Sequence, residues 1–162
     1  MKAGNNDATS TADREIVATR VFDAPRELVF KMWTDPEHIV QWWGPKGFTT
    51  TTYSTDVRPG GIWRFVMHGP DGVDYQNKIT FLEIVKPERL VYRHGGDKDV
   101  EPVNFETTVT FDEQDGKTSL TVQMLFPSAR ARDYTIEKYG AVEGLKQTLD
   151  RLTEHLARTA SS

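Results

Sequence analysis

Between Phe48 and Phe126 the chain runs as short alternating segments cut by close-set turns, and only after Pro127 does its apolar period change. Side chains along a strand point to opposite faces in turn, whereas residues three and four apart share one face of a helix. Ile62 to His68 sets Trp63, Phe65 and Met67 against Arg64, Val66 and His68. Val73 to Val85 and Arg89 to His94 read as further strands. Val103, Phe105, Thr107, Val109 and Phe111 alternate in the next segment, as do Leu120, Val122, Met124 and Phe126 in the last. The turns between them, among them Pro59-Gly60-Gly61, Gly69-Pro70-Asp71-Gly72 and Asp112 to Lys117, are short enough to make sequential strands antiparallel neighbours. Beyond Pro127, Val142, Leu145, Leu149, Leu152 and Leu156 form the apolar stripe of one long helix, with Glu143, Lys146, Asp150, Arg151 and Glu154 on its wet face.

The first third supplies the remaining elements. Arg14 to Phe22 alternates as a strand. Asp23 is placed to cap a helix over about residues 25–33, with Pro25 at a position helices tolerate and Leu28, Val29, Met32 and Trp33 at helical spacing. Thr34-Asp35-Pro36 ends it and starts a second short helix, which carries Ile39 and Val40 and ends near Trp43-Gly44-Pro45. Phe48 to Val57 is extended. Trp42 and Trp43 are adjacent, so both indoles cannot lie in one ordinary core; the pair marks a junction between helix and sheet. The whole order predicts an α+β domain in which a curved antiparallel sheet of about seven strands wraps the long C-terminal helix.

At 162 residues the chain fits one domain, expected over residues 14–158, with polar tails at 1–13 and 159–162. The net charge of −4 and the scatter of Lys and Arg give no basic face for nucleic acid or anionic lipid. The absence of cysteine excludes disulfides, thiolate catalysis and Cys-based metal sites. No signal peptide or membrane-length apolar run is present, so a cytoplasmic location without membrane insertion is expected.

A curved sheet and a single helix leave room for a cavity between them. Its candidate lining is Trp33, Trp42, Trp43, Trp63, Phe65, Met67, Tyr75, Asn77, Phe81, Tyr92, His94, Phe105, Met124, Leu145 and Leu149. The same residue types equally suit a filled core. Asn77 stands out, because an amide on an apolar face needs a hydrogen bond, which a ligand or trapped water could supply. The four histidines, at 38, 68, 94 and 155, form no metal-spaced pair within an element. His155 and His68 are expected to face outward, and His94 to share a face with Leu90 and Tyr92. Ser54, Ser119 and Ser128 lack a nucleophile-elbow context. Asp56 and Arg58 suit a structural pair at a turn. No catalytic residue, metal site or cofactor is therefore expected.

Asp23-Ala24-Pro25, Trp33-Thr34-Asp35-Pro36, Trp42-Trp43-Gly44-Pro45, Arg58-Pro59-Gly60-Gly61 and Pro70-Asp71-Gly72 occur in order and at the spacing of five sequence blocks of a known family. Over about residues 14–158 the chain resembles homologues of the heat-shock-protein-90 ATPase activator C-terminal domain, in the START-like or SRPBCC superfamily. The resemblance implies the helix-grip fold of the birch-pollen allergen. It also implies a cavity for lipids, polyketides or other hydrophobic molecules, and a stress-response setting for the family's co-chaperones. Those co-chaperones carry an additional N-terminal domain for which this chain has no room, so a chaperone partner is not expected. Where many relatives have Gly-Trp on the long helix, this chain has Gly144-Leu145.

The leading expectation is non-catalytic binding of a small hydrophobic molecule, by a monomer or a homodimer. The alternatives are a cyclase or hydrolase using the same cavity, with His94 or Tyr92 in proton transfer, and an interaction module using the outer sheet face.

Overall fold

The computed structural model describes residues 12–96 and 105–161. Most of the expected N-terminal tail, the loop after Gly96 and Val103 lie outside them. A 3-10 turn, Ala12–Arg14, leads into β1 (Glu15–Phe22), followed by two short helices, α1 (Arg26–Thr34) and α2 (Pro36–Ile39). Six strands follow: β2 (Thr49–Ser54), β3 (Ile62–His68), β4 (Asp74–Val85), β5 (Arg89–Gly96), β6 (Phe105–Gln114) and β7 (Lys117–Leu125). The chain ends in α3 (Ala129–Tyr139) and α4 (Ala141–Ser161).

The seven strands form one sheet in the order β1-β7-β6-β5-β4-β3-β2, antiparallel throughout. The meander from β2 to β7 follows from its tight turns. Asp115 and Gly116, at φ 55° and 78°, make the two-residue link between β6 and β7, in the sense that matches strand twist. Bulges at Tyr53, opposite β3, and at Leu82, opposite β5, bend the sheet. Gly60 and Gly61 tie the turn after β2 back to β4, through Gly60 N–H to Phe81 O at 2.7 Å and Phe81 N–H to Gly61 O at 2.9 Å. This is the α+β helix-grip fold that the sequence implies.

The helices depart from expectation in four places. Asp23 does not cap α1; Pro25 holds the cap position, and the free Arg26 N–H is taken by Glu113 Oε1 at 2.8 Å. Asp35 does cap α2, accepting from Glu37 N–H at 2.9 Å, but α2 stops at Ile39 and the chain reaches Trp43 through a turn. The α3 helix was not expected. Ser128 caps its start by accepting from Ala131 N–H at 3.0 Å, and Gly140, at φ 61°, ends it in the left-handed conformation. The last helix runs through Ser161, beyond the expected start of a tail at Thr159, and its expected stripe residue Val142 is 52% exposed.

The core fills one end of the concave face. Val29, Phe30 and Met32 of α1, Ile39 of α2, and Leu149, Leu152 and Leu156 of α4 pack there against Phe81, Leu90, Val109, Phe111 and Leu120. The first half of α4 presents Ala141, Gly144, Leu145 and Thr148 instead, and these smaller side chains leave space above the other end of the sheet. Arg20 of β1 holds α4 from the rim through Asp150 at 2.8 Å.

Candidate functional site

The joint between α2 and β2 is built from its own aromatics outward. Trp42 is fully buried, donates its indole N–H to Met32 O at 3.2 Å, and stands edge-on to Trp33 at 4.8 Å. Trp43 stays in the same core cluster, contrary to expectation, edge-on to Trp42 at 5.7 Å, and extends to the sheet with Trp63 at 5.3 Å and Tyr92 at 6.3 Å. Both indoles belong to the core, and Trp43 also forms part of the cavity wall.

Backbone that is neither helix nor strand has carbonyls without ladder partners. Arg151, placed by sequence on the wet face of α4, supplies them. Its Nη1 donates to the carbonyls of Trp43, Gly44 and Pro45 at 3.2, 2.9 and 3.1 Å. Its Nη2 reaches Gln41 O at 3.5 Å. Gly44 is at φ +101°, a conformation that favours glycine, and the flexible end of Met67 packs against it. The joint is thus clamped from α4 and from β3 together.

Beyond Trp43 lies a cavity of about 700 Å³ between sheet and helices. Met67, Tyr75, Asn77, His94, Phe105 and Met124 supply its sheet wall, with Tyr92 and Thr107 deeper in. Thr135, Lys138, Ala141, Gly144, Leu145 and Thr148 line it from α3 and α4, and Trp33, Trp43, Pro45 and Phe48 from the joint. Asp74 and Lys138, its charged lining residues among those described, are both exposed and mark its mouth.

Ten of the fifteen candidates therefore line the cavity: Trp33, Trp43, Met67, Tyr75, Asn77, Tyr92, His94, Phe105, Met124 and Leu145. Five do not. Trp42 lies behind the joint, Leu149 is in the core end of α4, and Phe65 is covered by Trp63 stacked at 3.9 Å. Trp63 and Phe81 border only a void of about 10 Å³, roughly the smallest space that holds one water. Pairing explains part of the split: Trp63 pairs with Ile79, while Met67 and Tyr75 pair nearer the turn after β3. Phe65 and Asn77 share the row between, where Trp63 covers Phe65. Phe48, Thr107 and the α3 residues were missed. Thr107 could have been found, since its alternation with Phe105 already put it on the inner face.

Among the polar groups lining the cavity, Asn77 and His94 are paired, whereas the buried Trp33 Nε1 and Thr107 Oγ1 have no hydrogen-bond partner among the described residues. Asn77 needs no ligand to satisfy it: its Nδ2 donates to Tyr75 O at 3.0 Å and its Oδ1 meets His94 Nε2 at 2.9 Å. Burial lowers the His94 pKa to about 4, so the ring is neutral near pH 7. Burial also pushes the Tyr92 hydroxyl well above the ordinary phenol range. Tyr92 and Thr107 are direct cross-strand partners. The deep end is therefore uncharged.

The remaining histidines lie elsewhere. His68 is on the outer face, between Thr51 Oγ1 and Asp74 Oδ1, each at 2.8 Å. His155 is 9% exposed rather than solvent-facing, because α4 turns it onto His38, with ring nitrogens 3.0 Å apart. Asp56 and Arg58 pair at 2.6 Å across their turn. Among the described residues no three His, Asp or Glu side chains gather as a metal site would require, and no helix is long and apolar enough to cross a membrane.

With this geometry in hand, comparison with known proteins adds three findings. A family model described as Activator of Hsp90 ATPase homolog 1-like protein matches residues 23–157. Among solved structures, a protein from Nitrosomonas europaea is 25% identical, with 93% of this chain and 99% of that one covered and a TM-score of 0.83. One from Staphylococcus epidermidis is 27% identical over 90% of this chain and 91% of that one, at a TM-score of 0.78. No curated protein matches the sequence.

Proposed function

Since the chain belongs to the family of Activator of Hsp90 ATPase homolog 1-like proteins, and its sheet and helices enclose a roomy apolar cavity, we propose that it binds a small hydrophobic molecule there without transforming it. The observation that carries this reading is the cavity of about 700 Å³, which falls within the range of small-molecule sites. Its walls are mostly apolar; Asn77 and His94 pair with each other there, while the buried Trp33 Nε1 and Thr107 Oγ1 have no hydrogen-bond partner among the described residues. Removing apolar ligand surface from water would drive uptake at about 25 cal/mol per Å², before the costs of ordering.

Proton transfer is disfavoured at the same site. A general acid–base working near neutrality needs a pKa near the working pH. His94 falls to about 4 and is partnered by an amide rather than a carboxylate.

Leu145 tests the reading. It lines the cavity from α4, and Leu145→Trp fills space without disturbing the leucines of the core. Titration with the neutral fluorophore N-phenyl-1-naphthylamine should give saturable enhancement in the parent protein. Affinity should fall about tenfold or more in the variant, with its far-ultraviolet dichroism unchanged. Equal binding by a folded Leu145→Trp protein would place the dye elsewhere and refute the assignment.

A further inference from the structure

The wall of the cavity that carries His94 has a defined hydrogen-bonding polarity. A backbone carbonyl can only accept, so the Asn77 nitrogen must be the atom facing Tyr75 O, at 3.0 Å. The amide oxygen is then the atom facing His94 Nε2, at 2.9 Å, and an amide oxygen also only accepts. His94 therefore carries its proton on Nε2. In a neutral imidazole the other nitrogen keeps a lone pair, and no described residue hydrogen-bonds His94 Nδ1. The ring is held among Trp43 at 6.4 Å, Phe65 at 6.2 Å and Phe105 at 5.0 Å. The lone pair is thus set in an aromatic wall.

We propose that His94 Nδ1 is a polar recognition point of the cavity, selecting hydrophobic ligands that present a neutral hydrogen-bond donor, a hydroxyl on an aromatic or fused-ring body. The relay from Tyr75 O through the Asn77 amide fixes the tautomer, so the site offers an acceptor before any ligand arrives. A carboxylate would meet that acceptor lone pair with its own. An ether would leave the lone pair without a donor. This assignment rests on the cavity-binding reading above and specifies the ligand class for it.

The test compares 2-naphthol, 2-methoxynaphthalene and 2-naphthoate by nuclear magnetic resonance titration at pH 7, with the full chain and with His94→Phe. One added hydrogen bond of ordinary strength corresponds to about tenfold in affinity. The parent protein should bind the naphthol about tenfold more tightly than the ether or the naphthoate, and His94→Phe should bind naphthol and ether alike. Equal binding of naphthol and ether by the parent protein overturns the inference while leaving the cavity reading intact. So does a naphthol preference that survives in His94→Phe. Failure of all three probes to bind overturns both. Imidazole nitrogen shifts in the parent protein give a check that needs no variant. The free protein should show the Nε2–H tautomer, with Nδ1 moving on addition of naphthol and not of the ether; the opposite tautomer contradicts the assignment.

Discussion

Arg151 shows how a single side chain can hold irregular backbone in place. Its guanidinium reaches the carbonyls of Trp43, Gly44 and Pro45 at once, which the compact ammonium of a lysine cannot reproduce. Arg151→Met keeps much of the stem and removes the donors. It should cost about 1–3 kcal/mol in urea unfolding, and the emission of Trp43 should shift as its segment loosens. Unchanged stability and emission would show that the tryptophans hold the joint unaided. Neither this clamp nor the Asn77–His94 pair was legible in the sequence. The Arg151 bonds join side chain to backbone more than a hundred positions away and leave no period to read, so Arg151 looked like one more charge on a wet face. The Asn77–His94 bond joins side chains on neighbouring strands and depends on a register the sequence does not print. That the tryptophan pair marks the joint was legible, but adjacency does not forbid a shared burial: both indoles lie in one core cluster, edge to face at 5.7 Å, and only Trp43 reaches the cavity.

Among the elements, the strands declared themselves and α3 did not. Alternation survives in β3, β6 and β7 because their inner residues are large and apolar. The α3 segment, Ala129–Tyr139, offers only small or isolated apolar groups such as Ala131 and Ile136, which pack on the minor cluster around Ile16 and Phe126. That contact is too narrow to impose a stripe, so its share of the cavity wall was missed. The division of the cavity from the core was equally hidden, since both use the same residue types. It is decided by where α4 changes from Gly144 and Leu145 to Leu149 and Leu152. The turn after β2 gives a sharper test. A Cβ on Gly61 would lie 1.9 Å from Asp56 O, whereas Gly60, at φ +85°, has nothing within 4 Å. Gly61→Ala should cost more than about 3 kcal/mol by forcing backbone to move, and Gly60→Ala only about 1 kcal/mol for its left-handed conformation. Equal losses in urea unfolding would contradict the packing at that turn.

For the whole molecule, the buried histidines tie stability to pH. Burial lowers His94 from an ordinary value of 6.5 to about 4. Burial first, then the charges of His38 and Arg158, also lowers His155. A group whose folded pKa is depressed in this way takes up its proton more readily in the unfolded chain. Stability should therefore be full above about pH 6.5 and fall as pH drops toward 4. His94→Phe should flatten part of that fall in chemical denaturation. A stability that rises on acidification through this window would contradict the burial of both rings.

The central claim is that the space between the sheet and the first half of α4 is a binding site and not merely loose packing. The most direct measurement is methyl nuclear magnetic resonance with N-phenyl-1-naphthylamine, recording cross-relaxation between the bound fluorophore and protein methyl groups. The expected contacts are to Met67, Met124 and Leu145, which line the cavity, with none to Leu152 in the core. Contacts confined to Val17 and Val21, exposed on the outer face of β1, or the absence of any contact to the three cavity residues, would contradict it.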